Sequence, residues 1–529
     1  MMDRVDGTSL RSGLLGSVAK CPGAVALVVR DERLSYGELD ATARRWAGAI
    51  LDLLNRRAER VGVFGYRSRV SYIGALAALY SGAAFVPLNP NFTPEKTRSM
   101  IRQAALDAVI VDKMCAPQLG KVIEGENSVP PLLLPEFEKA HFPGLEARIL
   151  DASDLAAAPL VRELPPLVPE DIAYMLFTSG STGEPKGVPV THGNACHFLS
   201  AMQKRYSIVP EDRFSQTFDQ TFDLSVFDLF LAWHSGACVY SMASVDLLAP
   251  TGFINRNQLT VWFSVPSVAA QMRKRSRLQP NSLPTLRWSL FCGEPLPKTS
   301  AELWQAAAPA SIVENLYGPT ELTIACTIHR WMPDLSPALC HNEVVPIGRP
   351  IEGLAAVLLD EGLAPVPPGV DGELCVSGPQ TTPGYWKDPA RTAERFVSIP
   401  ISDAEERRFY RTGDRVRRVE NGEYVFIGRT DFQIKVLGHR VELGEVEAAL
   451  RRDSRVSDVA AIGWPVVEGS AQAVVAFVTG DKVDTAALAD TAKQSLPPWA
   501  VPKEIRILEA MPLNANGKID RRALAQIMA

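Results

Sequence analysis

Short β-branched and apolar runs at 25–29, 60–64, 108–111 and 261–265 alternate along this chain with longer stretches of helical period, at 36–54 and 70–80. Runs that are apolar on both faces fit a sheet covered by helices, so the alternation predicts an α/β protein with layered, largely buried sheets. Pro-rich segments at 129–135, 164–169 and 363–368 read as loops. A chain of 529 residues is too long for one core, since single cores stop growing at roughly 250–300 residues. After Gly428 the character changes: an apolar run at 433–436, a helix at 443–452 opened by acidic residues, runs at 459–462 and 473–478, a helix at 485–495 and a last strand at 504–508. That is the size and alternation of a small α+β domain. The expected organisation is a large core over 1–428, a hinge at 429–432 and a small domain over 433–529.

The composition, 46% hydrophobic and 22% charged, is that of an ordinary globular protein. A net charge of -5 offers no basic footprint, so neither nucleic acid nor a membrane surface is expected as a partner. The eight cysteines form no CxxC pair and no His cluster, which favours free thiols over a zinc site or a disulfide scaffold. Residues 1–19 mix charges with Gly and Ser and contain no apolar leader, and no later run reaches about 18 apolar residues. A cytoplasmic protein is expected.

The most informative segment is Tyr174-Met-Leu-Phe-Thr-Ser-Gly-Ser-Thr-Gly-Glu-Pro-Lys-Gly187, an apolar strand entering a loop of three glycines, four Ser/Thr hydroxyls and a lysine. Glycines let backbone N–H groups approach a polyphosphate, hydroxyls add donors, and Lys186 adds charge. A loop of this kind alone is as readily a solvated turn. The spacing also departs from GxxxxGK[ST], because the lysine follows proline and precedes Gly187 and Val188.

TSGSTGEPKG resembles the signature of the ANL superfamily of adenylating enzymes, which includes acyl-CoA synthetases, luciferases and the adenylation domains of nonribosomal peptide synthetases. Leu34-Ser-Tyr-Gly-Glu-Leu39 and Asn514-Ala-Asn-Gly-Lys-Ile-Asp520 agree with family motifs in the family's order, so the resemblance spans nearly the whole chain. It implies the ANL fold, a large N-terminal domain of layered α/β subdomains with a small mobile α+β C-terminal domain. It also implies a reaction in which ATP, with Mg²⁺, activates a carboxylate as an acyl-adenylate whose acyl group then passes to a thiol.

Carried over residue by residue, the resemblance puts the phosphates on Thr178, Ser179, Gly180, Ser181, Thr182, Gly183 and Lys186. In Asn315-Leu-Tyr-Gly-Pro-Thr-Glu321, Tyr317 would stack on the adenine beside Gly318 and Asn315 would meet its amino edge. Thr320 would touch a phosphate and Glu321 would help hold Mg²⁺. Asp414, in Tyr410-Arg-Thr-Gly-Asp414, would accept from two ribose hydroxyls, with Arg429 alongside. Lys518, in Asn516-Gly-Lys518, would bridge the substrate carboxylate and the α-phosphate and so lower their repulsion. Such chemistry needs positioning and charge neutralisation rather than a protein nucleophile, and the implied catalytic set is Thr178, Lys186, Glu321, Lys435 and Lys518. For the second step Lys518 would leave as the small domain rotates about Asp431, and Lys435 would come to line the tunnel for a phosphopantetheine arm.

Phe222-Asp-Leu-Ser-Val-Phe-Asp-Leu-Phe230 resembles amino-acid adenylation domains, which set an aspartate, here Asp223, against the substrate ammonium. An unpaired buried charge is expensive, so a carboxylate there suits an amino acid and not a fatty acid. The remaining pocket, by register, is Leu224, Phe227, Phe263, Leu290, Cys292, Gly293, Leu316, Ile324 and Ala325. It offers no partner to a polar side chain, and a small apolar amino acid is expected. Prolyl-carrier ligases fit best, with Val261-Trp-Phe-Ser-Val-Pro266 and Ser289-Leu-Phe-Cys-Gly-Glu294; D-alanine carrier ligases are the alternative, and an acyl- or aryl-CoA ligase follows. The chain stops eleven residues after Lys518 without a carrier motif, so the carrier protein is expected in trans.

Overall fold

The computed structural model describes residues 9–141, 147–178, 185–275, 277–402, 405–429, 433–467, 470–513 and 519–528. A seven-stranded sheet runs from Ile149–Leu150 through Leu132–Leu133, Ala108–Val111, Arg60–Phe64, Ala84–Leu88 and Ile172–Thr178 to Lys186–Thr191. Its neighbours are parallel up to the last pair, which is antiparallel. Parallel strands need crossovers, and the helix Arg69–Tyr80 supplies one with Val70 through Tyr80 all buried. The helix Tyr36–Leu54 starts on a Ser35–Glu38 capping box and stops at Asn55, which takes a left-handed conformation with φ 51°.

A nine-stranded sheet carries the other half of the core, in the order Arg349–Pro350, Thr327–Arg330, Ile312–Tyr317, Trp288–Phe291, Val261–Ser264, Arg213–Gln216, Cys238–Ser241, Val25–Val29, Glu32–Ser35. The six strands from Ile312–Tyr317 to Val25–Val29 are parallel. Their carboxyl ends therefore share one edge, the edge at which open α/β sheets bind ligands. A five-stranded antiparallel sheet is built around the long strand Glu405–Arg418, paired on one side with Asp371–Ser377 and on the other with Phe396–Ser402 and Tyr424–Arg429.

The C-terminal part packs its own core from Val436, Leu443, Val446, Leu450, Val459, Val474, Ala476, Leu488 and their neighbours. The hairpin of Gln433–Val436 and His439–Glu442 joins one small sheet, and Val456–Gly463, Val474–Gly480 and Glu504–Ile507 form another. Trp499 packs against both this core and the apolar cluster under the seven-stranded sheet. There its ring stacks on His439, with centroids 3.8 Å apart, and meets the edge of Phe92 at 5.9 Å. Lys96 of the core reaches Glu445 of the C-terminal part at 3.4 Å.

The expected runs at 25–29, 60–64 and 108–111 are strands with those bounds, and the stretches at 36–54 and 485–495 are helices with theirs. The run at 261–265 stops as a strand at Ser264, because Pro266 opens a helix. The helix expected over 443–452 ends at Leu450. Arg429 ends a strand of the five-stranded sheet, in register with Asp414. Among the described residues no helix is long and apolar enough to cross a membrane.

Candidate active site

The two strands at the edge of the seven-stranded sheet bring Thr178 and Lys186 face to face across the mouth of the Gly/Ser/Thr loop. The hydroxyl of Thr178 is buried with no partner among the described residues, as a donor awaiting a phosphate oxygen would be. Ser179, Gly180, Ser181, Thr182 and Gly183 lie outside the described residues. Burial lowers the pKa of Lys186 to about 8, with Arg440 pressing the same way and Glu321 opposing. Its ammonium lies 3.6 Å from Glu321 and 4.9 Å from the centroid of the Tyr385 ring.

Glu321 is fully buried, and the Tyr385 hydroxyl donates to its Oε1 at 2.8 Å. Burial pushes this carboxyl upward, but Arg440 and Lys186 outweigh it and hold the pKa at about 2. The glutamate is thus an anion at any working pH. Mg²⁺ is commonly held by one or two carboxylates with substrate phosphates and water, so a single buried Glu beside the phosphate loop suits it.

Asn315 and Tyr317 stand two apart on Ile312–Tyr317 and so share one face of the sheet. The Asn315 Nδ2 donates to the Pro346 carbonyl at 2.9 Å, which leaves its Oδ1 buried and unpartnered among the described residues. An acceptor fixed in this way fits the amino edge of an adenine. Tyr317, Gly318, Asp414, Phe426 and Arg429 line a cavity of about 260 Å³ next to it. Gly318 allows the backbone to close up: a Cβ there would stand 2.5 Å from Ala325 Cα. Asp414 accepts from Arg429 Nη1 at 2.6 Å and from the Tyr317 hydroxyl. Both its oxygens are engaged, and each keeps a lone pair for a ribose hydroxyl.

Asp223 sits just before a helix whose next turn, Phe227–Leu231, is a π-turn, a distortion that recurs at functional sites. It is 7% exposed. Its Oδ2 accepts from the Ile324 backbone N–H at 3.2 Å. Burial raises its pKa from 3.8 to about 6. Ile324 holds a φ of 72° and Thr323 one of 57°, an uncommon and costly conformation for β-branched residues that here aims an amide at the aspartate.

The expected pocket residues Leu224, Phe227, Phe263, Leu290, Cys292, Leu316, Ile324 and Ala325 are buried in one apolar cluster. The Phe227 and Phe263 rings meet at 5.0 Å. Gly293, with φ 96°, lets the chain pass Leu224 and Val265. Burial lifts the Cys292 thiol to about 12, so it stays protonated and unreactive.

Lys435 lines the same cavity as Asp414 and Arg429, and burial lowers its pKa. Its hairpin is clamped to the core: the Gly438 N–H donates to Glu294, and Arg440 reaches Glu321 at 3.5 Å. His439 meets Phe222, the neighbour of Asp223, at 5.2 Å. Glu294, Tyr385, His439, Arg440 and Trp499 were not singled out from the sequence, because their roles arise only from contacts between distant segments. Lys518 and Asp431 lie outside the described residues.

The family model for AMP-binding enzymes matches residues 15–386, and that for the AMP-binding enzyme C-terminal domain matches 445–518. The L-proline--[L-prolyl-carrier protein] ligase of Streptomyces coelicolor is 34% identical over 508 residues, spanning 94% of this chain and 92% of that protein. A linear gramicidin synthase of Brevibacillus parabrevis is 34% identical over 512 residues, 96% of this chain but 6% of that much longer protein. The crystal structure of the Vibrio cholerae adenylation domain AlmE in complex with glycyl-adenosine-5'-phosphate superposes with a TM-score of 0.87 at 33% identity, covering 100% of this chain and 98% of that one.

Proposed function

Because the chain belongs to the AMP-binding enzymes, with the fold of the ANL adenylating superfamily, we propose that it activates L-proline as prolyl-AMP and passes the prolyl group to the phosphopantetheine thiol of a carrier protein. The observation that carries the amino-acid part is Asp223: a buried carboxylate with a raised pKa and no ion-pair partner among the described residues would be stabilised by a substrate ammonium. Phe227, Phe263 and the leucines around it suit a compact apolar side chain such as a pyrrolidine ring. The similarity to a prolyl-carrier ligase over nearly its full length supports both the acid and the acceptor.

Each half of the site then has its work. Asn315, Tyr317, Asp414 and Arg429 orient the nucleoside, while Thr178 and Lys186 hold the phosphates. Magnesium bound at Glu321 would supply charge neutralisation on the pyrophosphate leaving group. Lys518 would draw the carboxylate onto the α-phosphorus, and Lys435, which lines the cavity beside Asp414, would flank the path of the incoming thiol. A smaller acid, glycine or D-alanine, is the second reading; the likeness to the glycyl-adenylate-bound AlmE favours it. The test is to incubate the chain with ATP, Mg²⁺, a candidate amino acid and free pantetheine, and to look for aminoacyl-S-pantetheine by mass spectrometry. ATP-dependent prolyl thioester is expected. No prolyl thioester under conditions in which another acid gives one would refute the proposal.

A further inference from the structure

We propose that Gln380 is a positioning residue for the amino-acid site: its buried carboxamide holds the strained turn 322–325, and that turn presents the Ile324 N–H to Asp223. The inference rests on the reading of Asp223 as the group that meets the substrate ammonium. Thr323 and Ile324 both have positive φ, 57° and 72°, a conformation that β-branched residues leave when nothing restrains them. Ile324 nevertheless keeps its amide 3.2 Å from Asp223 Oδ2, and Ile324 and Ala325 belong to the same buried apolar cluster as the rest of the pocket. A group outside the turn must therefore hold it.

Gln380 has no exposed surface. Its Nε2 donates to the Ala325 carbonyl at 2.7 Å, to that of Leu322 at 3.1 Å and to that of Thr323 at 3.3 Å, so one amide group takes up carbonyls on both sides of Ile324. The Thr323 hydroxyl answers by donating to the Gln380 carbonyl at 2.7 Å, and the Thr382 N–H donates to the Glu321 carbonyl at 3.0 Å. The carboxamide is itself oriented. His197 Nδ1 lies 3.3 Å from Oε1, where it donates, and that fixes which end of the amide faces the turn. Asn194, on the same face of the helix His192–Tyr206, donates to the carbonyls of Pro379 at 2.7 Å and Thr381 at 3.3 Å, on either side of Gln380. None of these contacts involves Asn315, Tyr317, Asp414 or Arg429, so the clamp serves the amino-acid side of the site and leaves the nucleoside side alone.

The test separates the KM for the amino acid from the KM for ATP in ATP–pyrophosphate exchange by the full chain, with L-proline as the probe, or D-alanine if that is the acid that supports exchange. Gln380→Met keeps the length of the side chain and removes its hydrogen bonds. It should raise the amino-acid KM by at least about tenfold, as a misplaced hydrogen bond to a charged acceptor does, and leave the ATP KM within about twofold. His197→Ala, which only frees the carboxamide to turn, should shift the amino-acid KM the same way by at least about threefold, and it carries the test if Gln380→Met does not fold. Coupling is the second readout. On an Asp223→Ala background, where the amide has no carboxylate to meet, Gln380→Met should add less than about twofold to the loss. An amino-acid KM unchanged in both variants, or an equal rise in both KM values, overturns the proposal, while a large loss in Asp223→Ala leaves the reading of Asp223 standing. Unchanged kinetics in Asp223→Ala removes that reading, and the proposal with it.

Discussion

Replacing Asp223 with asparagine keeps the shape of the side chain and removes its charge, which separates what the residue does for substrate from what it does to the empty protein. Burial raises the carboxyl from 3.8 to about 6, so at neutral pH the ionised group costs the empty protein about 3 kcal/mol. The sign follows from the raised folded pKa: the cost is absent below about pH 4, grows as pH rises, and is complete above about pH 6. Asparagine escapes that cost, and its carboxamide oxygen can still accept from the Ile324 N–H. The melting temperature of Asp223→Asn at pH 7.5 should therefore equal or exceed that of the unsubstituted protein. With substrate the balance reverses. The ammonium enters a buried site that no longer answers its charge, and breaking such a pair costs about 3–5 kcal/mol, or roughly a hundred- to a few-thousandfold in kcat/KM for the amino acid. In the unsubstituted enzyme kcat/KM should fall as pH drops through about 6. The assay is amino-acid-dependent ATP–pyrophosphate exchange beside a thermal melt of the same preparation. A loss below about tenfold, or a lower melting temperature without substrate, would refute the reasoning.

Three other perturbations probe the rest of the site. The kcat/KM for ATP should decline as pH rises through about 8, where Lys186 loses its proton in the free enzyme, and Lys186→Arg should abolish that alkaline limb in a pH–rate profile. Asp414→Asn should raise KM for ATP by about ten- to a hundredfold, since a hydrogen bond to a charged acceptor is worth about 1.5–3 kcal/mol, with little change in KM for the amino acid. Trp499→Leu removes the stack on His439 and the edge contact with Phe92, so hairpin docking should weaken by about tenfold and single-turnover transfer to pantetheine should slow accordingly.

Much of the core was legible in the sequence because its strands and helices carry strong local signals. Tyr36–Leu54 announces itself by period and by the Ser35–Glu38 capping box, and Val25–Val29 and Arg60–Phe64 by uninterrupted β-branched runs. The strand Glu405–Arg418 was harder to read: its many arginines break any apolar pattern, and it forms because Asp371–Ser377 and Phe396–Ser402 pair with it. In the candidate site, Asp223, Glu321, Asn315 and Asp414 were singled out by motif, and the structure adds contacts that motif could not supply. The strained Ile324 amide on Asp223 and the reach of Arg440 to Glu321 each join segments far apart in the chain. Local sequence carries no signal for such contacts.

ATP–pyrophosphate exchange across the proteinogenic amino acids, with D-alanine, pipecolate and simple carboxylic acids added, tests the central claim most directly. The account predicts exchange that requires an amine-bearing acid and is strongest with L-proline. Exchange supported only by acids lacking an amine would contradict it, because the buried charge of Asp223 would then have no partner to answer.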